Sequence, residues 1–351
     1  MYPYYLVFFS LVILSFFEYF NLLKNRGIPI LFAFFILFAF TGLRGDVGTD
    51  TSSYLNIFNN LDLYNEQIEI GFVYLNEIVR YFGLNFSFLL LLSALISLIL
   101  YFYSLYRFLG FGVVLFSFLI IYCDLYLYFN FSGIRQGIAL SIALLAGYFS
   151  FKKNLFSYLI AVFVATLFHK SAIIILLYWP LFNIDFRKYL NFYSTLLFIF
   201  LAFAWFSISK EILYGLSDVV DIKGAGMYFS QSYNELNSNA YLNGLLRRFY
   251  PLVIFFIVFR FSSNNEIIKK LLAVYLFGFI FYALNYPILQ DVTVRLSSYF
   301  LMFECILTPL ILLRVKYTFN RILFFVVILF VLVYKLHSYA RIEDFHYYLY
   351  F

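Results

Sequence analysis

The stretch NFSFLLLLSALISLILYFYSLY, residues 85–106, decides the fold because it is strongly apolar and contains no charged residue. A helix over this range is long enough to cross the hydrocarbon core of a bilayer, which is about 30 Å thick. A soluble protein has no use for so long an uncharged run. The stretch therefore predicts a membrane-spanning helix.

Similar apolar runs recur along the whole chain. Together with the first they cover residues 3–22, 28–43, 85–106, 112–130, 134–151, 155–168, 171–182, 189–208, 249–261, 271–286, 296–313 and 322–336. The runs near His169 and after Phe249 are short for full spans. The pattern predicts an all-α polytopic membrane protein with about twelve transmembrane helices, forming one integral membrane domain over residues 1–351.

Composition excludes other classes of protein. Of the 351 residues, 64% are hydrophobic and 12% charged, whereas soluble domains carry about 25% charged residues. The net charge is +6, but the basic residues are dispersed through apolar sequence. They therefore do not form a basic face for nucleic acid. Cys123 and Cys305 lie in apolar runs and are expected to be packing residues. The first apolar run lacks a basic segment before it and a cleavage site after it, which indicates a retained helix.

Loop charges give an orientation. With twelve alternating spans, the basic groups at Lys24–Arg26, Arg107, Lys152–Lys153, Arg187–Lys188, Arg260–Lys270 and Arg314–Arg321 fall on one side, which is then cytoplasmic. Two long loops, approximately residues 44–84 and 209–248, become external. In the first, Thr49 or Asp50 can cap a short helix. A second helix over residues 68–82 is expected to lie on the outer membrane surface, with one apolar face formed by Ile68, Phe72, Leu75, Val79 and Phe82.

Arginines are unusually placed on the predicted external side. Arg135 and Arg295 lie at the edges of apolar runs, where an unpaired charge is costly. One explanation is that they reach lipid phosphates, and the other is a functional anion site. Together with Arg44 and the pair Arg247–Arg248 they favour a pyrophosphate ligand, because a guanidinium binds phosphate through two parallel N–H groups.

Three external titratable residues are candidates for general-base catalysis. They are Asp50, Glu69 and His169. Asp50 is also a plausible helix N-cap, and His169 is also a plausible interfacial residue between two apolar runs. Glu18, Asp124 and Glu304 lie in or near predicted spans, and we expect them to pair helices. Metal-binding and nucleotide-binding motifs are missing from the sequence, so neither a metal nor a cofactor is predicted.

Five motifs in order give the chain a resemblance to the EpsG-like family of Wzy-type polysaccharide and O-antigen polymerases. They are Arg44-Gly-Asp-Val-Gly-Thr-Asp-Thr-Ser-Ser-Tyr54, Glu69-Ile-Gly-Phe-Val-Tyr-Leu-Asn76, Ser132-Gly-Ile-Arg-Gln-Gly-Ile-Ala139, Phe168-His-Lys-Ser-Ala172 and Arg295-Leu-Ser-Ser-Tyr-Phe300. The resemblance spans nearly the full length. Gln136 and Tyr299, which accompany Arg135 and Arg295 in these motifs, are also expected to bind substrate.

The resemblance implies a bacterial inner-membrane glycosyltransferase with a GT-C-like fold. Such an enzyme polymerises undecaprenyl-pyrophosphate-linked repeat units into O-antigen, capsule or exopolysaccharide at the external face. A flippase and a chain-length regulator are the implied partners besides the lipid-linked substrate and the bilayer. Arginines suit the negative charge that grows on the leaving pyrophosphate.

Three other functions stay open at this point. A flippase or exporter of the same lipid-linked sugar would also need basic groups, but its two halves should be related and its binding groups should lie near the midplane. An O-antigen ligase would share the arginine site. A membrane acyltransferase using His169 would not need it.

Overall fold

The computed structural model describes residues 1–184, 205, 236–259 and 265–349 of the chain, and they are helical without a β-strand. The α-helices are α1 Tyr2–Tyr19, α2 Gly27–Gly42, α3 Thr51–Asn59, α4 Leu61–Tyr64, α5 Ile70–Tyr81, α6 Phe86–Leu109, α7 Val114–Ile121, α8 Ile134–Phe151, α9 Leu155–Phe168, α10 Tyr178–Asn183, α11 Ser238–Phe259, α12 Glu266–Asn285, α13 Gln290–Leu301, α14 Glu304–Leu312 and α15 Thr318–Ala340. A π-helix, Tyr122–Ser132, continues α7, and a 3₁₀-helix, Lys170–Leu177, precedes α10.

Seven helices in the described ranges are long and apolar enough to cross a membrane. They are Tyr2–Tyr19, Phe86–Leu109, Val114–Ser132, Ile134–Phe151, Ser238–Phe259, Glu266–Asn285 and Thr318–Ala340. Gln290–Leu301 and Glu304–Leu312 make an eighth if the pair, bent by 43°, is one span. Three shorter apolar helices are Gly27–Gly42, Leu155–Phe168 and Lys170–Asn183. The molecule is therefore an all-α polytopic membrane protein.

Several predicted boundaries differ from the observed ones. The helix expected from residue 249 begins at Ser238, so residues 238–248 are helical and not part of a loop. Hydropathy missed this part of the helix because it contains Arg247 and Arg248, whose guanidinium groups lie over the rings of Tyr334 and Tyr282. The predicted span 189–208 lies almost wholly outside the described residues, as does the loop from 209 to 235.

The first long loop is folded, as predicted. Asp50 occupies the N-cap position of α3, and α5 covers most of the range expected for a surface helix. Gly83 follows with a φ of +65°, a left-handed conformation that suits glycine at a helix end. The buried face of α5 includes Phe72, Leu75 and Val79. Phe82 is 69% exposed, so its assignment to that face was wrong, because the helix ends at Tyr81 and the chain turns away.

Buried acids pair helices, which confirms the expectation for Glu18 and Glu304. The Glu18 carboxylate accepts hydrogen bonds from the N–H groups of Leu115 and Phe116, each 3.0 Å long, at the start of α7. Lys335 of α15 lies 2.9 Å from both Asp124 and Glu304. These contacts fix α1, α14 and α15 around the deeply buried span from Val114 to Ser132.

Candidate functional site

An ion pair between Glu69 and Arg135 forms the centre of the candidate site. Glu69 is the N-cap residue of α5, and Arg135 lies in the first turn of α8. The second carboxylate oxygen of Glu69 accepts the N–H of Lys170 at 3.2 Å. The two side chains are 10% and 25% exposed, so the pair is largely sheltered but still open to a ligand.

Close helix packing brings Glu69 to this position. A Cβ on Gly71 would lie 2.7 Å from the Leu167 carbonyl oxygen, a distance that only glycine allows. The start of α5 therefore rests directly on the end of α9. Glu69 is then beside Lys170, the first residue after His169.

Arg135 keeps part of its hydrogen-bonding capacity. Its guanidinium carbon lies 5.8 Å from the centre of the Tyr54 ring. Its Nε is buried and has no hydrogen-bond partner in the described part of the chain. Burial raises the pKa of the Glu69 carboxyl, but the Arg135 charge outweighs it and holds that pKa below its ordinary value. The site therefore contains an ionised carboxylate and a guanidinium whose side chain is partly exposed.

His169 is held in one tautomer. Its Nδ1 accepts the N–H of Ser171 at 3.3 Å and lies 2.6 Å from the Ser171 hydroxyl. A backbone N–H can only donate, so the proton of the neutral imidazole is on Nε2. Burial lowers the pKa of His169 to about 4; Glu69 opposes this effect, and Arg135 and Arg295 add to it. At neutral pH the ring is uncharged and offers an N–H.

Gln136 and Tyr299 connect the ion pair to the helix that carries Arg295. Gln136 donates to the Arg295 carbonyl at 2.9 Å, and the Tyr299 hydroxyl lies 3.2 Å from the Ser171 hydroxyl. The structure thus brings together six predicted residues from four separate motifs. They are Glu69, Arg135, Gln136, His169, Arg295 and Tyr299.

Asp50 contacts Tyr54, the residue whose ring lies near Arg135. Its backbone carbonyl accepts the Tyr54 N–H at 3.0 Å. Its carboxylate accepts the Thr49 hydroxyl at 3.2 Å and makes no side-chain capping hydrogen bond to α3. The residue therefore has the position of a cap, while its carboxylate is not used as one.

Arg44 points into the protein. Its side chain is 1% exposed and donates to the carbonyls of Thr41, Phe131 and Val47 at 2.5, 3.1 and 3.3 Å. The guanidinium also lies 4.7 Å from the centre of the Phe131 ring. The structure does not bring Arg44 together with Arg135; it uses the group to fix the loop against the end of the π-helix.

Arg247 and Arg248 belong to a second group of side chains. Arg248 lies 4.1 Å over the Tyr282 ring and donates to the Gly244 carbonyl, and Arg247 lies 4.8 Å over Tyr334. Arg248 borders a cavity of about 30 Å³, together with Asp124 and Glu304. The pair is therefore separate from the cluster around Arg135.

Sequence reasoning overlooked several residues of both groups. Tyr54 and Ser171 lie inside the quoted motifs. The aromatic ring of Tyr54 and the hydroxyl of Ser171 could have marked them as partners of a nearby arginine and histidine. Lys335 was visible as a lone lysine within an apolar run, which marks a paired charge. Among the described residues, no three His, Cys, Asp or Glu side chains come together as a metal site would need.

Comparison with known proteins identifies a family. The model of the EpsG family matches residues 27–351, a range that contains all the residues of both groups. No curated protein and no solved structure matches the chain.

Proposed function

This chain belongs to the EpsG family, a Wzy-like polymerase-associated family, and from that premise we propose that it polymerises undecaprenyl-pyrophosphate-linked oligosaccharide repeat units. The membership makes it a polysaccharide polymerase-like membrane protein, with the glycosyltransferase chemistry that this implies. The observation that supports the proposal best is the partly open ion pair of Glu69 and Arg135 beside a neutral His169.

The donor's pyrophosphate is the ligand that this cluster suits. The Arg135 side chain is 25% exposed, Arg295 lies near enough to His169 to influence its pKa, and the His169 ring offers Nε2–H. These donors can stabilise the charge that develops on pyrophosphate as its bond to the sugar breaks. In this proposal, Gln136 and Tyr299 have a positioning role. They hold the helix that carries Arg295 against the segments that carry Arg135 and His169.

Glu69 is the general base that the geometry favours. In the unliganded site Arg135 keeps its carboxylate ionised. When pyrophosphate competes for the guanidinium, Glu69 loses part of that stabilisation and becomes a stronger base for the acceptor hydroxyl. His169 is less suited, because Nδ1 is already an acceptor and Nε2 carries a proton. Asp50, with no capping bond, is the alternative base.

The finer topology is also part of the proposal. We place about twelve spans in a GT-C-like arrangement within one membrane domain of the bacterial inner membrane, with loops 44–84 and 209–235 and the active site at the external face. O-antigen, capsule or exopolysaccharide is the product class. A flippase would supply the lipid-linked unit, and a chain-length regulator would limit the product.

Product ladders from a synthetic undecaprenyl-pyrophosphate repeat unit test the activity. In nanodiscs, wild-type protein should extend the unit, whereas Arg135→Lys should lower kcat about 10²- to 10³-fold because the planar fork is lost. Arg107→Lys is a matched control, since Arg107 also stacks on tyrosine rings but lies at the opposite end of the bundle. Full ladders from both Arg135→Lys and Arg135→Ala would rule out the proposed role.

A metal requirement is tested in the same assay. We propose that the arginines supply the positive charge, so excess chelator should leave the ladder unchanged. Loss of the ladder with chelator, and its return with a divalent ion, would contradict this part of the proposal.

A further inference from the structure

An apolar groove runs along the outside of the bundle between α1 and α15. It has a volume of about 440 Å³ and is lined by apolar side chains alone, among them Val12 and Phe16 of α1 and Phe325 and Leu329 of α15. Exposed side chains of both helices surround it, including Ile13 and Val326. A groove on the lipid-facing side of two spanning helices is in contact with acyl chains.

A cation lies beside one end of this groove. The guanidinium of Arg321 lies 4.9 Å over the Tyr19 ring, and Tyr19 in turn stacks on Phe325, a residue of the groove wall, with ring centres 5.8 Å apart. Arg321 is partly exposed and directly precedes Ile322 of the groove wall. A guanidinium binds phosphate oxygens through two parallel N–H groups, so an anionic group at this end of the groove, its mouth, has a partner there.

Further basic residues lie in the two segments that meet at this end of the bundle. The Tyr19 hydroxyl donates to the Leu312 carbonyl at 3.0 Å, so the end of α1 meets the connection between α14 and α15. These two segments, residues 19–26 and 312–321, contain Lys24, Arg26, Arg314, Lys316 and Arg321, and no acidic residue. The adjacent Glu18 is buried and accepts backbone N–H groups of α7, so the exposed charge of these segments is positive.

The groove mouth is distant from the candidate active site. Tyr4, at the other end of α1, donates to the Phe345 carbonyl near the Arg44 loop. An 18-residue helix separates the two ends, which corresponds to roughly 27 Å. A ligand at Arg321 is thus not the polymerisation substrate at Arg135.

We propose that this groove is a binding site for one anionic phospholipid, with an acyl chain between α1 and α15 and the headgroup phosphate on Arg321. Charge complementarity selects the occupant, because a zwitterionic lipid would bring its own cation to an already basic mouth. The phosphate accepts N–H groups from the partly exposed Arg321 side chain. The acyl chain covers the apolar walls.

Native mass spectrometry of the purified full-length protein tests the proposal without any variant. Phosphatidylglycerol should remain bound as one tight adduct and should raise Tm, whereas phosphatidylcholine and inorganic phosphate should do neither. Equal retention of phosphatidylcholine would overturn the headgroup assignment. The same Tm rise with inorganic phosphate would overturn the lipid assignment.

Variants locate the site. Arg321→Gln and the groove-filling Leu329→Trp should each weaken phosphatidylglycerol binding at least tenfold. Their controls are Arg341→Gln at the opposite end of α15 and Phe330→Trp, at a position that is 73% exposed and does not line the groove; both should bind as wild type does. Unchanged binding in Arg321→Gln and Leu329→Trp would refute the site, whether or not polymerisation is observed.

Discussion

Arg44 and Arg135 differ in their exposure and in the acceptors that their N–H groups reach. Arg44 is 1% exposed and gives its donors to three backbone carbonyls, while Arg135 has a side chain that is 25% exposed and gives one N–H to a carboxylate. Burial lowers the pKa of Arg44 to about 10, so it is still charged at neutral pH. The first residue therefore stabilises the loop, and the second is available to a ligand.

Arg44→Lys separates these two roles. Lysine cannot reach all three carbonyls. The Thr51 hydroxyl also contacts those of Val47 and Phe131, so the change affects the Thr41 carbonyl most, and one unpaired buried carbonyl costs about 1–3 kcal/mol. We expect a loss of about 1–3 kcal/mol of stability, seen as a lower Tm in detergent, with kcat/KM of the folded fraction close to wild type. A normal Tm combined with lost polymerisation would instead make Arg44 a substrate ligand.

His169 predicts a dependence of stability on pH. Its pKa is about 4 in the folded protein and about 6.5 when unfolded, so the unfolded chain binds the extra proton first. The contribution of His169 to the free energy of unfolding is therefore fully present above pH 6.5. It is lost as the pH falls toward 4, which lowers the free energy of unfolding by up to about 3 kcal/mol. Unfolding followed between pH 7 and 4.5 should show this slope, and His169→Gln should flatten it. An equal slope in the variant would contradict the assignment.

Sequence motifs could predict which residues are candidates but not where their side chains point. Arg44 and Arg135 both come after apolar runs, and each lies close to a glycine, Gly45 or Gly133. The sequence alone therefore does not distinguish their roles. The difference arises from Phe131, which is 87 residues from Arg44 and accepts its N–H. Such long-range contacts carry no local signal.

At the scale of elements, α5 shows how packing sets the geometry of the site. Its start lies against the Leu167 carbonyl because Gly71 has no side chain. The same helix carries Glu69 at its N-cap. Any outward shift of α5 therefore moves the carboxylate away from Arg135 and Lys170.

Gly71→Ala tests this coupling. The new methyl group would meet the Leu167 carbonyl at 2.7 Å, and the resulting overpacking costs about 1–3 kcal/mol. We expect a lower Tm and a clear loss of product ladder. Gly83→Asn is the control, because nothing lies within 4 Å of its Cβ position and asparagine tolerates a positive φ. Normal activity in Gly71→Ala would show that α5 can shift without consequence.

The apolar runs predicted that most of the helices exist, but they did not predict changes of helix type or bends. The change from α-helix to π-helix at Tyr122 and the 43° bend between Leu301 and Glu304 leave no trace in hydropathy. Both depend on packing between distant segments. At the bend, Glu304 pairs with Lys335 and accepts the Tyr250 hydroxyl at 2.5 Å.

At the scale of the whole molecule, the two ends of the bundle differ in charge. One end carries the Arg135 cluster, and the other carries the exclusively basic mouth around Arg321. Lysine and arginine accumulate on the cytoplasmic side of membrane proteins. This asymmetry supports the proposed orientation, in which the polymerisation site is external and the phospholipid site cytoplasmic.

Thiol labelling tests that orientation. Cysteines placed at Ser53, in the folded loop beside the site, and at Asn237 should react with a membrane-impermeant reagent in intact spheroplasts, whereas one at Tyr317 should react only after lysis. All three positions are exposed, so access to the reagent depends on the side of the membrane. Cys123 and Cys305 are buried and should contribute little background. Labelling of Tyr317→Cys alone in intact spheroplasts would invert the topology. The cluster around Arg135 would then face the cytoplasm, where an extracellular polymer could not be assembled.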